Sequence, residues 1–211
     1  MHKPILLLIF LALLAATATA QDASRTNKTQ EAAAAQGLAL LRGLAGDKAS
    51  DLGFKSSNDA ARATLGTPLI VYNVDLAALK TFAPGGDASS LLNASRAAFY
   101  PVMLDGVVSS GVRVENTGAG WEAARVGNAG LATAVDRARH ALPKPDDPAT
   151  VLVQVLALNL LFVGQRDSSG WQLAPVIDDP SVDLKVGKAE PAAAVFVRLA
   201  PIAARQNGDP T

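Results

Sequence analysis

The dipeptide Asp105-Gly106 sits between two strand-like runs, residues 97–104 and 107–115. Both of its residues tolerate positive φ, as a two-residue turn between antiparallel strands requires, so the two runs are expected to form a hairpin. In the second run Val112 and Val114 alternate with Arg113 and Glu115. One face of that strand should therefore meet a core and the other water.

Further elements follow from caps and periodicity. Thr29 is placed to cap a helix from Gln30 to about Leu44, with Ala34, Leu38, Leu41 and Ala45 on one stripe and Gly46 at its end. Asn58 or Asp59 is expected to cap a short second helix closed by Gly66. Residues 69–74 read as a strand, and Asp75 caps a helical turn through Leu79 and Phe82. After the turn at 116–120, residues 121–126 form another strand; Leu131, Ala134, Val135, Ala138 and Leu142 then recur at helical spacing up to Pro143. The stretch 143–148, with three prolines, is the most linker-like. Residues 151–163 are apolar at both parities and read as one central buried strand, with 171–177 as its partner. Pro191 opens a last helix carrying Val195, Phe196, Leu199 and Ile202, with a kink expected at Pro201. Gly120-Trp121 and Gly170-Trp171 each open a returning strand ahead of a loop and a helix. A duplicated strand-strand-helix unit would produce that pattern, and so would ordinary hairpin returns.

The N-terminus points to export. Met1-His2-Lys3 is a short basic region, residues 4–16 are a nearly unbroken apolar run, and Ala18-Thr19-Ala20 is a small-x-small site before Gln21. The run is shorter than the roughly 20 residues a spanning helix needs. A signal peptide cleaved between Ala20 and Gln21 is expected, with no membrane span in the mature protein. The chain has no cysteine to carry a lipid at the cleavage site. The expected location is therefore the bacterial periplasm or the medium. Cleavage removes one of the 19 basic residues and none of the 19 acidic ones, leaving a net charge of about −1. With scattered basic residues and no excess of positive charge, nucleic acid is not an expected partner. Hydrophobic residues at 49% against 18% charged argue for a folded body. A mature chain of about 190 residues buries roughly 70% of its unfolded surface, enough for a core without disulfides.

No chemical signature stands out. After His2 is removed the one histidine is His140, nine residues from Leu131 and so about 180° from the apolar stripe of its helix, facing solvent. Without cysteine no zinc constellation of nitrogen and sulfur ligands forms. Asp178, Asp179 and Asp183, and the pair Asp146-Asp147, lack calcium-loop spacing. Gly118-Ala119-Gly120-Trp121-Glu122-Ala123 formally matches a relaxed dinucleotide fingerprint, but no supporting helix follows it. Ser109 and Ser110 read as sheet surface. No cofactor or metal is expected. The aromatics Tyr72, Tyr100, Trp121 and Trp171 are the candidate ligand or partner surface, with core packing as the competing use.

Together these readings predict an α+β fold: a curved antiparallel sheet built from hairpins and packed on one face by helices. One domain spans residues 29–205, between a disordered segment at 21–28 and a frayed tail from Gln206. In outline this order of elements resembles cystatin-like helix-on-sheet folds, although no motif of those families is matched. The expected role is a non-enzymatic binding or interaction module that takes a protein, a peptide or a small apolar ligand through the concave sheet or a strand edge. A cofactor-free hydrolase or isomerase with carboxylates in a sheet-and-helix cavity is the alternative. An assembly subunit would instead expose an apolar patch of several hundred Å² and self-associate.

Overall fold

The structure is a computed structural model that describes residues 29–206. The expected signal peptide with its cleavage site, the segment 21–28 and the tail beyond Gln206 lie outside the described residues. The chain begins with helix α1 (Gln30–Lys48), whose N-cap Thr29 accepts a hydrogen bond from the Ala32 N–H. Gly46 does not end this helix, which runs two residues further. Helix α2 (Ser57–Arg62) is capped by Ser56, not by Asn58 or Asp59. Next come β1 (Thr64–Leu65), β2 (Leu69–Val74) and α3 (Leu76–Lys80), the last capped by Asp75 as expected.

The predicted hairpin is present as β3 (Leu92–Leu104) and β4 (Val107–Asn116). Its turn residues Asp105 and Gly106 have φ of 51° and 83°. Strand β5 (Trp121–Gly127) and helix α4 (Ala129–Arg139, capped by Asn128) complete the first half. The second half holds β6 (Val151–Val155), β7 (Leu160–Asp167), β8 (Gly170–Pro175), β9 (Glu190–Pro191) and α5 (Ala192–Ala203).

The run 151–163 is thus not one strand. A 3-10 turn at Leu156–Leu158, followed by Asn159 at φ 51°, reverses the chain, and β6 pairs antiparallel with β7. The run is apolar at both parities because the sheet is covered on both faces here. Val153 and Phe162 pack with α5, whereas Leu152 and Val163 pack with α4.

The strands form one mixed nine-stranded sheet in the order β5-β4-β3-β2-β6-β7-β8-β9, with β1 on β3. It is α+β, open and curved, and every pairing is antiparallel except the central one, β2 with β6. Two four-strand runs, β2–β5 and β6–β9, diverge from that parallel pair, and each leads into a helix. The two tryptophans are not equivalent in this scheme, since Trp121 opens an edge strand and Trp171 lies on an inner one.

Alternation along the strands assigns the helices to faces. Ala98, Tyr100, Val112 and Val114 pack under α1, and the same face continues through Ile70 and Val151 to α5. The intervening residues Leu69, Val71, Ala97 and Phe99 pack against α4 on the reverse face. Helices therefore cover both faces, not the single face the sequence suggested. The fully buried Phe162 on β7 and Phe196 on α5 each contribute roughly 1.5–3 kcal/mol of burial.

Candidate functional site

The four candidate aromatics fall into two groups. Tyr72 and Trp171 meet with ring centroids 5.9 Å apart and planes tilted by 55°, half-buried against the cluster under α5. Tyr100 is buried beneath α1, and its hydroxyl accepts a hydrogen bond from Gln30 Nε2 at 2.9 Å. Burial pushes its phenol pKa up. Trp121 is half-buried against the same α1 cluster, at the start of the edge strand. All four pack on hydrophobic clusters, and they do not form one surface.

The other singled-out residues are placed as follows. Ser110 is fully buried on β4 and its hydroxyl has no hydrogen-bond partner among the described residues, which corrects its assignment to the sheet surface; Ser109 is half-buried. His140 is exposed at the C-terminal end of α4, with Nδ1 2.8 Å from the Asp136 carbonyl oxygen. Gly118 and Gly120, at φ 90° and 126°, serve the β4–β5 turn, and a strand follows them rather than a helix. Asp179 accepts from the Ser181 N–H and hydroxyl, and Asp178 from the Val186 N–H. Asp179 and Ser181 border a surface cleft of about 460 Å³ between the β6–β7 turn and α5, with Leu158, Leu199 and Ile202. Among the described residues no helix is long and apolar enough to cross a membrane.

Sequence reasoning missed the outer side of α1. A surface helix ordinarily turns a polar face to water. Here the inner residues Ala33, Ala34, Gly37, Leu38, Leu41 and Ala45 are matched outside by exposed Ala32, Ala35, Ala39, Leu40, Gly43 and Leu44, with Gln36 the one uncharged polar side chain in the middle of that side. Leu40 and Leu44 are 52% and 45% exposed. The helix's charges sit at its ends apart from Arg42, whose guanidinium turns aside to donate to the Ala63 carbonyl at 2.6 Å. The signal was legible in the sequence as apolar residues on every side of the helix.

Beside this face runs the open edge of the sheet. Among the described residues strand β5 pairs with β4 alone, and Glu122, Ala124 and Arg125 are exposed. Its pairing with β4 slips by one residue at Ala124, so Ala123 faces Val114 while Arg125 faces Arg113. The extra residue is a bulge. Residues three apart normally point to opposite faces. The bulge instead puts Glu122 and Arg125 on one face with Glu115 and Arg113, their cross-strand neighbours. That register sets Glu against Glu and Arg against Arg. Arg113 and Glu115 bond to each other along β4 at 2.7 Å, while Glu122 and Arg125 have no ion-pair partner among the described residues.

Fold and surface together define an α+β protein with an open, curved sheet and an uncharged helix face lying beside an unpaired strand edge. Compared with known protein families, curated proteins and solved structures, the chain finds no match.

Proposed function

We propose that this is an exported protein of the bacterial periplasm or medium, acting as a non-enzymatic binding module that docks a protein partner on the outer face of α1 and the adjoining edge β5. The observation that carries the reading is the solvent side of α1, where Ala32, Ala35, Ala39, Leu40, Gly43 and Leu44, with Gln36 among them, leave an uncharged and mostly apolar stripe in water. An exposed apolar area of this kind on a folded protein marks a contact surface. A partner covering it removes that area from water, at roughly 25 cal/mol per Å² before the costs of association.

The test is a photoactivatable benzophenone side chain at position 40, in the full chain expressed in an exporting bacterium. A control carries the same group at Leu156, which is 68% exposed on the other half of the sheet. A discrete adduct at position 40 and none at 156 is the expected result. No adduct at 40, or equal labelling at both, would overturn the docking reading. The same material tests export, for the recovered chain should begin at Gln21, and retention of residues 1–20 would overturn it.

A further inference from the structure

We infer that the occupant of the β5 edge and of the adjoining α1 flank that carries Leu40 and Leu44 is a second copy of the chain, joined antiparallel along β5 about a two-fold axis between Ala123 and Ala124. The inference rests on the docking reading above and names its partner.

The edge is self-complementary. About that axis Glu122 of one protomer lies opposite Arg125 of the other, twice over, and Trp121 lies opposite Val126. Side chains paired across antiparallel strands must share a face. A regular strand could not satisfy that for residues three apart, but the bulge at Ala124 has already brought Glu122 and Arg125 to one face. Within the protomer each of these two charges faces its own kind across β4. A second copy supplies the opposite charge to both.

The helices agree with the same axis. Gly37 brings α1 hard onto the edge, since a Cβ there would stand 2.5 Å from Val112 Cγ1 and 3.2 Å from Ala123 Cβ. Arg42, bonded to Ala63 just before β1, marks the flank of α1 that looks toward the middle of the sheet. Leu40 and Leu44 are two residues either side of Arg42 and so about 200° around the helix from it, on the flank toward the open edge. A two-fold axis normal to the sheet sets the two α1 helices side by side and antiparallel on one face, with these leucines between them. Such an isologous contact closes after two copies.

Charged edge strands with bulges ordinarily repel strand addition. Here the same two charges reject an unmatched strand and accept their own two-fold-related copy, which is specificity by exclusion.

The experiment is size-exclusion chromatography with light scattering on the full mature chain. The expected mass is twice that of the protomer. Glu122→Arg sets Arg against Arg across the axis and should weaken the dimer about tenfold or more. The double variant Glu122→Arg with Arg125→Glu should restore it, and as it also sets opposite charges against Glu115 and Arg113, a loss of fold would not explain a failure. In this cysteine-free chain, Ala124→Cys should cross-link between protomers with a short bismaleimide. A monomer at every soluble concentration overturns the inference, as does a dimer indifferent to Glu122→Arg. A benzophenone adduct at position 40 containing a different protein overturns self-pairing and leaves the docking reading standing; no adduct overturns both.

Discussion

Gln165 on β7 satisfies both hydrogen-bonding groups of the Lys144 backbone: its Oε1 accepts from the N–H at 3.2 Å and its Nε2 donates to the carbonyl at 2.6 Å. The side chain is 2% exposed, with buried Thr150 Oγ1 at 3.5 Å from Nε2. The proline-rich stretch 143–148 is thereby tied to the sheet by a residue some twenty positions away.

Replacing that glutamine with leucine keeps the volume and strands the Lys144 peptide. Gln165→Leu is expected to cost about 1–3 kcal/mol in urea unfolding, roughly 0.5–1.5 for each of the two hydrogen bonds lost. Amides of residues 144–150 should also exchange faster. An unchanged midpoint would mean that water replaces the side chain without loss.

Glu190 and Arg198 form a two-pronged ion pair at 3.0 and 3.1 Å between β9 and α5. The hydrogen bonds from Arg198 hold the Glu190 carboxyl below its usual range, against the opposing effect of burial. A lowered folded pKa means that the stabilisation is fully present above the unfolded value of about 4.3, and is lost as pH falls through the folded one. Glu190→Gln should therefore be less stable than the parent by about 1–2 kcal/mol at neutral pH. The gap should close in acid, and a gap constant with pH would show that the carboxylate's charge is not what Arg198 holds.

Two glycines of α1 should respond in opposite senses to alanine. At Gly37 the added methyl meets Val112 and Ala123, so Gly37→Ala should destabilise by roughly 1–3 kcal/mol through overpacking. At Gly46 nothing lies within 4 Å of the added carbon, and Gly46→Ala should gain about 0.5–1 kcal/mol of helix propensity. Thermal melts of the two variants check both. Equal shifts would contradict the close seating of α1 on β4 and β5.

What the candidate site drew from the sequence was partial. The apolar girdle of α1 was there to be read, but Glu122 and Arg125 carried no signal, because two charges on an exposed strand are ordinary. Their meaning depends on the slip against β4 at Ala124. The four aromatics, chosen for size and polarity, proved to pack on clusters under α1 and α5. Nothing local separates an aromatic that lines a groove from one that fills a core.

The features determined by sequence alone are those that a few neighbouring residues decide: the Asp105-Gly106 turn and the caps at Thr29 and Asp75. Their physics is local, a tolerated φ or a side-chain oxygen within reach of a free N–H. Tertiary structure decided the rest. The division of residues 151–163 into β6 and β7 was hidden because helices on both faces let every side chain be apolar. The parallel pairing of β2 with β6 joins residues some eighty positions apart. The face on which each helix lies, and the alignment of Glu122 with Arg125, follow from strand register, which shifts every side chain to the other face when it slips by one residue.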